Sequence, residues 1–487
     1  MEGPLEPPEH AEGFWDDADA ELFDRHRASG DRRSFRRWLS VIVLAALALR
    51  VGYCFVIAGD EPAGDALWYA AVGQQIAAGH GFSDPFVGAQ TVPVASHPPA
   101  AAVVLAIAPM SIDRDTTFRG HQTALFGQRL TFALVGALTV AVIGLAARRV
   151  GGDRMGLIAA AIAAVTPELW INDGILMAES LAALSVAVVV LAAYRCADLP
   201  VIPRWIALGI ACGAATLVRS EALLLGPLLI VPMAVVIYRR RLLTAVAAVA
   251  IAAVAMAGVG ALWVVPNLVR YPEPVLYSTN DGLTLLGANC PETTTGGGAG
   301  TWSLSCLRLA DADGNGRDDW ADYQDPPPFG SVPPEASALS IEYRRVALRY
   351  IRTHLHDYPT VAAIRLGRLW GVYRPDQMVD YNQGEGRRPI LSWLAWGAHL
   401  VTTVTAAFGI VRLYRRKRPV VPLVAQAVAA SLTGALIYGL ARFRIGWDVA
   451  AVIAAAAALE WLWSRRDEGA GRDESSRRDS PAGEVPA

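Results

Sequence analysis

An excess of charge of either sign is missing from this chain. Its 487 residues carry 43 Lys and Arg against 45 Asp and Glu, a formal net charge of −2. Overall charge therefore implies no nucleic-acid partner. Lysine is nearly absent: Lys417 is the only one, so arginine supplies almost every basic group. No internal repeat recurs along the chain. No convincing Gly-rich phosphate loop occurs either; the candidate 293-TTTGGGAGT-301 reads as a linker, and no nucleotide cofactor is expected. A cleavable signal peptide is also missing. The first 37 residues are polar, and no small-residue cleavage site follows the apolar stretch 38–58, which reads as a retained anchor. Cysteine is scarce, with five in all. Cys54, Cys196 and Cys212 lie in or beside apolar runs and read as small buried hydrophobes. Cys290 and Cys306 sit close together in a polar stretch, and an oxidising compartment there would favour a disulfide between them.

What the chain has in abundance is apolar sequence, 53% of all residues. It gathers into runs near the ~20 residues that a helix needs to cross a bilayer. They lie at about 38–58, 123–147, 155–171, 177–196, 205–219, 221–238, 242–266, 391–412, 419–440 and 446–463. The fold class expected is an all-α polytopic membrane protein with about ten transmembrane helices, surface helices in the first outer loop and one small extracytoplasmic domain. Arginine clusters at 32–37, 148–154, 195–204, 239–241, 412–418 and 465–466 alternate with connections poorer in basic residues. The positive-inside rule places the clusters in the cytoplasm. Both termini are then cytoplasmic in a multi-pass plasma-membrane protein. The segment 97-HPPAAAVVLAIAPMS-111 is too short to cross and reads as interfacial or re-entrant.

The domain organisation follows. Residues 1–37 form a disordered tail, 38–269 an N-terminal membrane module with its first outer loop at 59–122, and 270–390 an outer domain. Residues 391–463 supply the last helices, and 464–487 form a charged tail. Within the outer domain, 336-ASALSIEYRRVALRYIRTHL-355 has helical spacing of Leu339, Tyr343, Val346 and Tyr350. Trp393, Trp396, Trp461 and Trp463 read as interfacial anchors, and 412-RLYRRKRP-419 as a determinant of topology.

Acids directly after a membrane span call for an explanation. The stretch 59-GDEPAGDALWYAAVGQQIAAGHG-81 has Asp60, Glu61 and Asp65, with Asp65 and Tyr69 on one face of an amphipathic helix. Asp60 before Glu61-Pro62 reads as the helix start. On the same side of the membrane fall Asp173, Glu179, Arg219, Glu221, Arg442 and Arg444. Guanidiniums can bind a phosphate bidentately while a carboxylate takes a proton, which suits a reaction on a lipid-borne phosphate. An intramembrane transporter or flippase of lipid-linked sugars is the rival reading, but transporters often carry internal repeats.

The ordered series 64-GDALWYAAVGQQIAAGHGF-82, 97-HPP-99, 127-GQRLTFALVGALTVAVIGLAARRVGG-152, 177-MAES-180 and 217-LVRSEALLL-225 resembles the GT-C class of membrane glycosyltransferases. Within that class it is nearest to the protein O-mannosyltransferase and aminoarabinose-transferase-like group, glycosyltransferase family 39. Arg50 in 47-LALRVGY-53 fits the pattern, and 442-RFRIGWD-448 resembles a turn of actinobacterial members. The resemblance implies a polyprenyl-phosphate sugar donor, an acceptor hydroxyl in the cell envelope, and an essential acid in the first outer loop, here Asp65. It implies that Arg219, with Arg442, Arg444 or Arg374, meets the charge of the departing phosphate, while Tyr69, His97 and Glu179 line the substrate.

A second motif stands apart. The run 311-DADGNGRDDWAD-322 follows the calcium-loop template. Asp311, Asp313, Asn315, Arg317 (through its carbonyl), Asp319 and Asp322 take the ligand positions. Asp322 stands where glutamate is usual, so the expectation is a weak Ca2+ site that shapes the outer domain and takes no part in catalysis.

Overall fold

The computed structural model describes residues 32–86, 92–108, 118–310 and 335–478. The calcium-template run 311–322 lies outside the described residues. Among them there is no β-strand, only one antiparallel bridge between Ser83 and Pro93. The helices are α1 (Arg32–Val56), α2 (Asp65–Ala77), α3 (Ala100–Ala106), α4 (Phe118–Gly151), α5 (Asp153–Val165), α6 (Ile171–Ile175), α7 (Glu179–Asp198), α8 (Ile202–Thr216), α9 (Val231–Ile237) and α10 (Leu242–Arg270). After them come α11 (Asp281–Gly287), α12 (Ala336–Thr353), α13 (Tyr358–Leu369), α14 (Pro375–Gly384), α15 (Pro389–Arg415), α16 (Val421–Leu436) and α17 (Ile445–Arg478).

Among the described residues seven helical stretches are long and apolar enough to cross a membrane: α1, α4, α7, Ser220–Ile237, α10, α15 and Ala441–Arg465. The pair formed by α5 and Pro167–Ile175, bent by 79°, passes the same test of length and composition as a broken span or a re-entrant loop. The other two expected spans are occupied by α8 and α16, of 15 and 16 residues. This is an all-α, multi-pass membrane protein. Within 97–108 the segment forms the seven-residue α3, too short to cross a bilayer.

The core runs along α17. Residues 449–458 are buried throughout, an alanine- and valine-rich stretch inside the bundle. Small side chains let the neighbouring backbones approach closely. Gly409 of α15 sits against the Ala454 carbonyl, where a Cβ would collide with backbone. The opposite extreme is α10, whose Leu242, Leu243, Val254 and Val269 are widely exposed, as a lipid-facing helix requires. Arg50 and Asp173 form a charged pair deep in the bundle. Arg50 of α1 donates from Nε to Asp173 Oδ2 at 2.9 Å and from Nη2 to the Leu169 carbonyl at 3.1 Å. Gly136 of α4 leaves room for it; a Cβ there would clash with both side chains. Burying a charge is tolerable when it is paired and hydrogen-bonded in this way.

The polar segment after α10 packs onto one end of the bundle. Cys290 and Cys306 are joined as a disulfide with Cα atoms 5.4 Å apart, inside a small core with Leu286, Leu307 and Ala347. Arg365 of α13, fully buried, donates to the Ala288 carbonyl at 2.6 Å and to the Ala435 carbonyl at 3.3 Å. It thereby ties the segment to the end of α16. The stretch 293–301 is no linker. Thr293, Thr294 and Ala299 are buried. The Ala299 carbonyl accepts from Arg368 Nε at 2.7 Å, and the Gly300 carbonyl from the Gly439 amide at 2.9 Å. The glycines permit this close approach of two backbones. At the far end, α17 continues to Arg478, past the point where the sequence suggests a disordered tail.

Candidate active site

The site is assembled where α2 leaves the first span. Arg129 of α4 grips the turn after α1, donating to the Ala58 carbonyl at 3.2 Å, to the Asp60 carbonyl and to the Gly174 carbonyl at 2.9 Å. Gly64 takes φ +56°, a backbone that L side chains rarely adopt. The helix therefore starts at Asp65, not at Asp60. Asp60 pairs instead with Arg388 at 3.2 Å. No side chain caps the N-terminus of α2, so Asp65 is not spent on capping. Gln128 of α4 donates to the Ala70 carbonyl at 2.9 Å and seats the helix.

Asp65 faces two charged or titratable groups. Arg442 donates from Nη1 to Asp65 Oδ2 at 2.7 Å. His97 Nε2 lies 3.7 Å from the other carboxylate oxygen. The His97 ring packs at 4.7 Å from Trp68 and 5.0 Å from Tyr69. Arg442 is shared: Nη1 also reaches Glu385 Oε1 at 3.1 Å, and Nη2 donates to the Tyr438 hydroxyl at 2.9 Å. Beside it, Arg219 holds Glu179 at 2.5 Å and also pairs with Glu221. One ring joins the two guanidiniums, because Phe443 lies 5.3 Å from Arg219 and 5.7 Å from Arg442. The Asp65 side chain remains 31% exposed and Arg442 16%, so both open onto accessible space, whereas Glu179 is sealed at 1%.

Protonation follows from this packing. Burial would raise the Asp65 carboxyl, but the Arg442 guanidinium, and then His97, hold it well below the usual carboxylate range. Burial holds the His97 imidazole below its usual range; Asp65 opposes this, and Arg442 and Arg219 add to it. Glu385 is pushed up by burial, against the pull of Arg442. These shifts favour an ionised Asp65, a neutral His97 and a Glu385 that takes up a proton more readily than a free glutamate.

Of the residues singled out in the sequence, the structure brings together Asp65, Tyr69, His97, Glu179, Arg219 and Arg442. It leaves out two. Arg374, in the left-handed region at φ +47°, starts α14 and pairs at the surface with Asp376 at 3.1 Å. Arg444 is 1% exposed and turns into the bundle, donating to the Leu369 carbonyl at 2.9 Å and lying 3.7 Å from Asp448. Residues 441–444 form a 3-10 turn, so side chains two apart point different ways. Glu385 and Tyr438 were not anticipated. The only sequence signal was Glu385 between Gly384 and Gly386, an acid in a turn-forming context.

Three comparisons bear on this architecture. The archaeal oligosaccharyltransferase AglB from Archaeoglobus fulgidus, solved with an inhibitory peptide and a dolichol-phosphate, superposes with a TM-score of 0.51 at 14% identity. The match covers 93% of this chain and 53% of that one. The apo form of the same oligosaccharyltransferase gives 0.51 and 14%, over 94% and 53%. ArnT from Cupriavidus metallidurans, bound to undecaprenyl phosphate, gives 0.40 at 17% identity over 86% and 78%, too loose a superposition to argue from. The chain shares the helical membrane fold of the archaeal oligosaccharyltransferase, and it spans about half the length of that protein. Residues 97–264 match the family model described as dolichyl-phosphate-mannose-protein mannosyltransferase. No curated protein matches the chain.

Proposed function

We propose that this protein is a glycosyltransferase that moves a sugar from a polyprenyl-phosphate donor to an acceptor hydroxyl of the cell envelope, outside the cytoplasm. The observation that carries the reading is the Asp65–Arg442 pair, with Arg219 next to it, at an accessible place on the helix that follows the first span. The fold and the family match over residues 97–264 support it. So does the dolichol-phosphate bound by the similar archaeal oligosaccharyltransferase.

The chemistry balances as a single displacement. The acceptor oxygen attacks C1 of the sugar, its proton passes to Asp65, and the C1–O bond to phosphate breaks. Polyprenyl phosphate leaves, its charge met by Arg442 and Arg219. An acid gripped by a guanidinium is a poor base. The donor phosphate competes for Arg442, and when Arg442 turns to it Asp65 is released and becomes more basic. His97 and Tyr69 pack beside the carboxylate and fix its orientation.

The test uses purified protein in lipid with a panel of polyprenyl-phosphate sugars, following loss of sugar from the lipid. Asp65→Asn should lower turnover by about 10²–10⁴-fold, the usual contribution of a general base, with donor binding retained. Full activity in that variant refutes the assignment. The calcium template remains a separate proposal: titrating Ca2+ into the full chain should shift its thermal midpoint upward, and Asp311→Asn with Asp313→Asn should abolish the shift.

A further inference from the structure

The end of the bundle away from the candidate site carries an arrangement that the proposed reaction does not use. Arg465 lies 21 residues along the helical rise from Arg444, roughly 30 Å at the α-helical rise. There, the guanidinium of Arg412 lies 4.5 Å from the Trp461 ring centroid and that of Arg465 lies 4.8 Å from the same centroid. Phe408 packs on the same indole at 5.4 Å. Arg415 and Arg416 close α15 beside them.

Two guanidiniums held on one indole set this cluster apart. Two arginines nearby are neutralised instead: Arg148 pairs with Asp153 at 2.5 Å and Arg149 with Asp198 at 3.1 Å. Contacts place them at the same end, since Arg154 lies 4.9 Å from the Trp463 ring and the Tyr194 hydroxyl donates to the Pro419 carbonyl at 3.0 Å. Around Trp461 the one acid in contact is Glu460, held by Arg416 at 3.5 Å. Among residues whose side chains are described, which end at Arg465, no carboxylate pairs with Arg412 or Arg415, and the buried Arg412 Nε has no hydrogen-bond partner. Membrane topology requires only that positive charge accumulate on one side. It does not require two guanidiniums on one indole with a donor left open.

We infer that the adjoining ends of α15 and α17 bind the phosphate headgroup of an anionic phospholipid. Arg412 and Arg465 supply charge-assisted donors, the Trp461 ring fixes both, and the acyl chains lie along the apolar flank below Phe408. Guanidiniums suit phosphate through their planar donor pairs, and basic pockets between membrane helices take such headgroups.

The experiment is native mass spectrometry of the full chain in detergent with dioleoylphosphatidylglycerol, dioleoylphosphatidylcholine or inorganic phosphate added. The wild type should retain phosphatidylglycerol in preference to phosphatidylcholine. Arg412→Gln with Arg465→Gln should weaken that retention by roughly fivefold per guanidinium removed. Arg239→Gln with Arg240→Gln, which removes equal charge elsewhere, should leave it at the wild-type level. Equal retention of the two lipids, an unchanged double variant, or an equal loss in the control overturns the proposal. So does full displacement of the lipid by inorganic phosphate, which would make this a simple anion site. If the double variant fails to fold, a photoactivatable phosphatidylglycerol on the wild type decides. Adducts within 408–416 or 457–465 support the site, and adducts confined to other peptides refute it.

Discussion

Arg442 is the residue on which the candidate site turns, because it answers two carboxylates with one guanidinium. Asp65 at 2.7 Å and Glu385 at 3.1 Å share Nη1, and Tyr438 takes Nη2. The arrangement settles into one ionised acid and one that is easily protonated. Glu385 is the testable half. Its carboxyl lies above the ordinary value of 4.5, so between that value and its raised one the folded chain binds more protons than the unfolded chain. Its contribution to stability is therefore full below the ordinary value and is lost as pH rises through the raised one. Thermal unfolding measured from about pH 4.5 to 8 should fall more steeply in the wild type than in Glu385→Gln. Parallel profiles would show that Glu385 is no more basic than a surface glutamate.

Among the elements, the bent connection after α5 anchors the segment that carries Glu385 beside the site. Glu168 on Pro167–Leu169 receives Arg387 through both guanidinium nitrogens at 3.0 Å, and Asn172 accepts from the same side chain at 2.7 Å. Arg387 stands two residues from Glu385, so this buried pair sets where the second acid lies. Removing one partner leaves a buried charge unanswered, and Glu168→Gln should cost roughly 3–5 kcal/mol, read as a lowered thermal midpoint in detergent. Glu168→Leu combined with Arg387→Met should cost less, since it leaves no stranded charge. An unchanged midpoint in Glu168→Gln would mean that the pair is not structural. This element also marks the limit of sequence reading. The apolar runs were legible because hydrophobicity is a local property, and so was the helix at 336–353 through its spacing. Asp65, His97, Arg219 and Glu179 were legible through short motifs. The Arg387–Glu168 pair joins residues 219 apart, and no local pattern announces such a contact. Asp60 misled for the same reason, because a distant Arg388 competes with the helix end for its carboxylate. Arg442 and Arg444 looked equivalent in sequence, and a 3-10 turn separates their directions.

At the scale of the whole molecule, a multi-pass bundle carries a polar, disulfide-closed segment on the end that holds the site. The orientation proposed from arginine distribution puts that end outside the cell and both termini inside. An impermeant thiol reagent on intact cells should label Thr295→Cys, which is exposed near the disulfide, and should label Arg416→Cys only after the cells are opened. The native free cysteines are buried and give a low background. The reverse pattern would invert the protein and remove the acceptor from its proposed compartment. The site's central contact joins positions 377 residues apart. At about 5–20 residues per second, a ribosome that has just made Asp65 needs roughly twenty seconds to more than a minute to deliver Arg442. Throughout translation the nascent chain therefore holds its acid without the guanidinium that completes it, and a chain stopped short of its last membrane helix would occupy the bilayer as an inert protein.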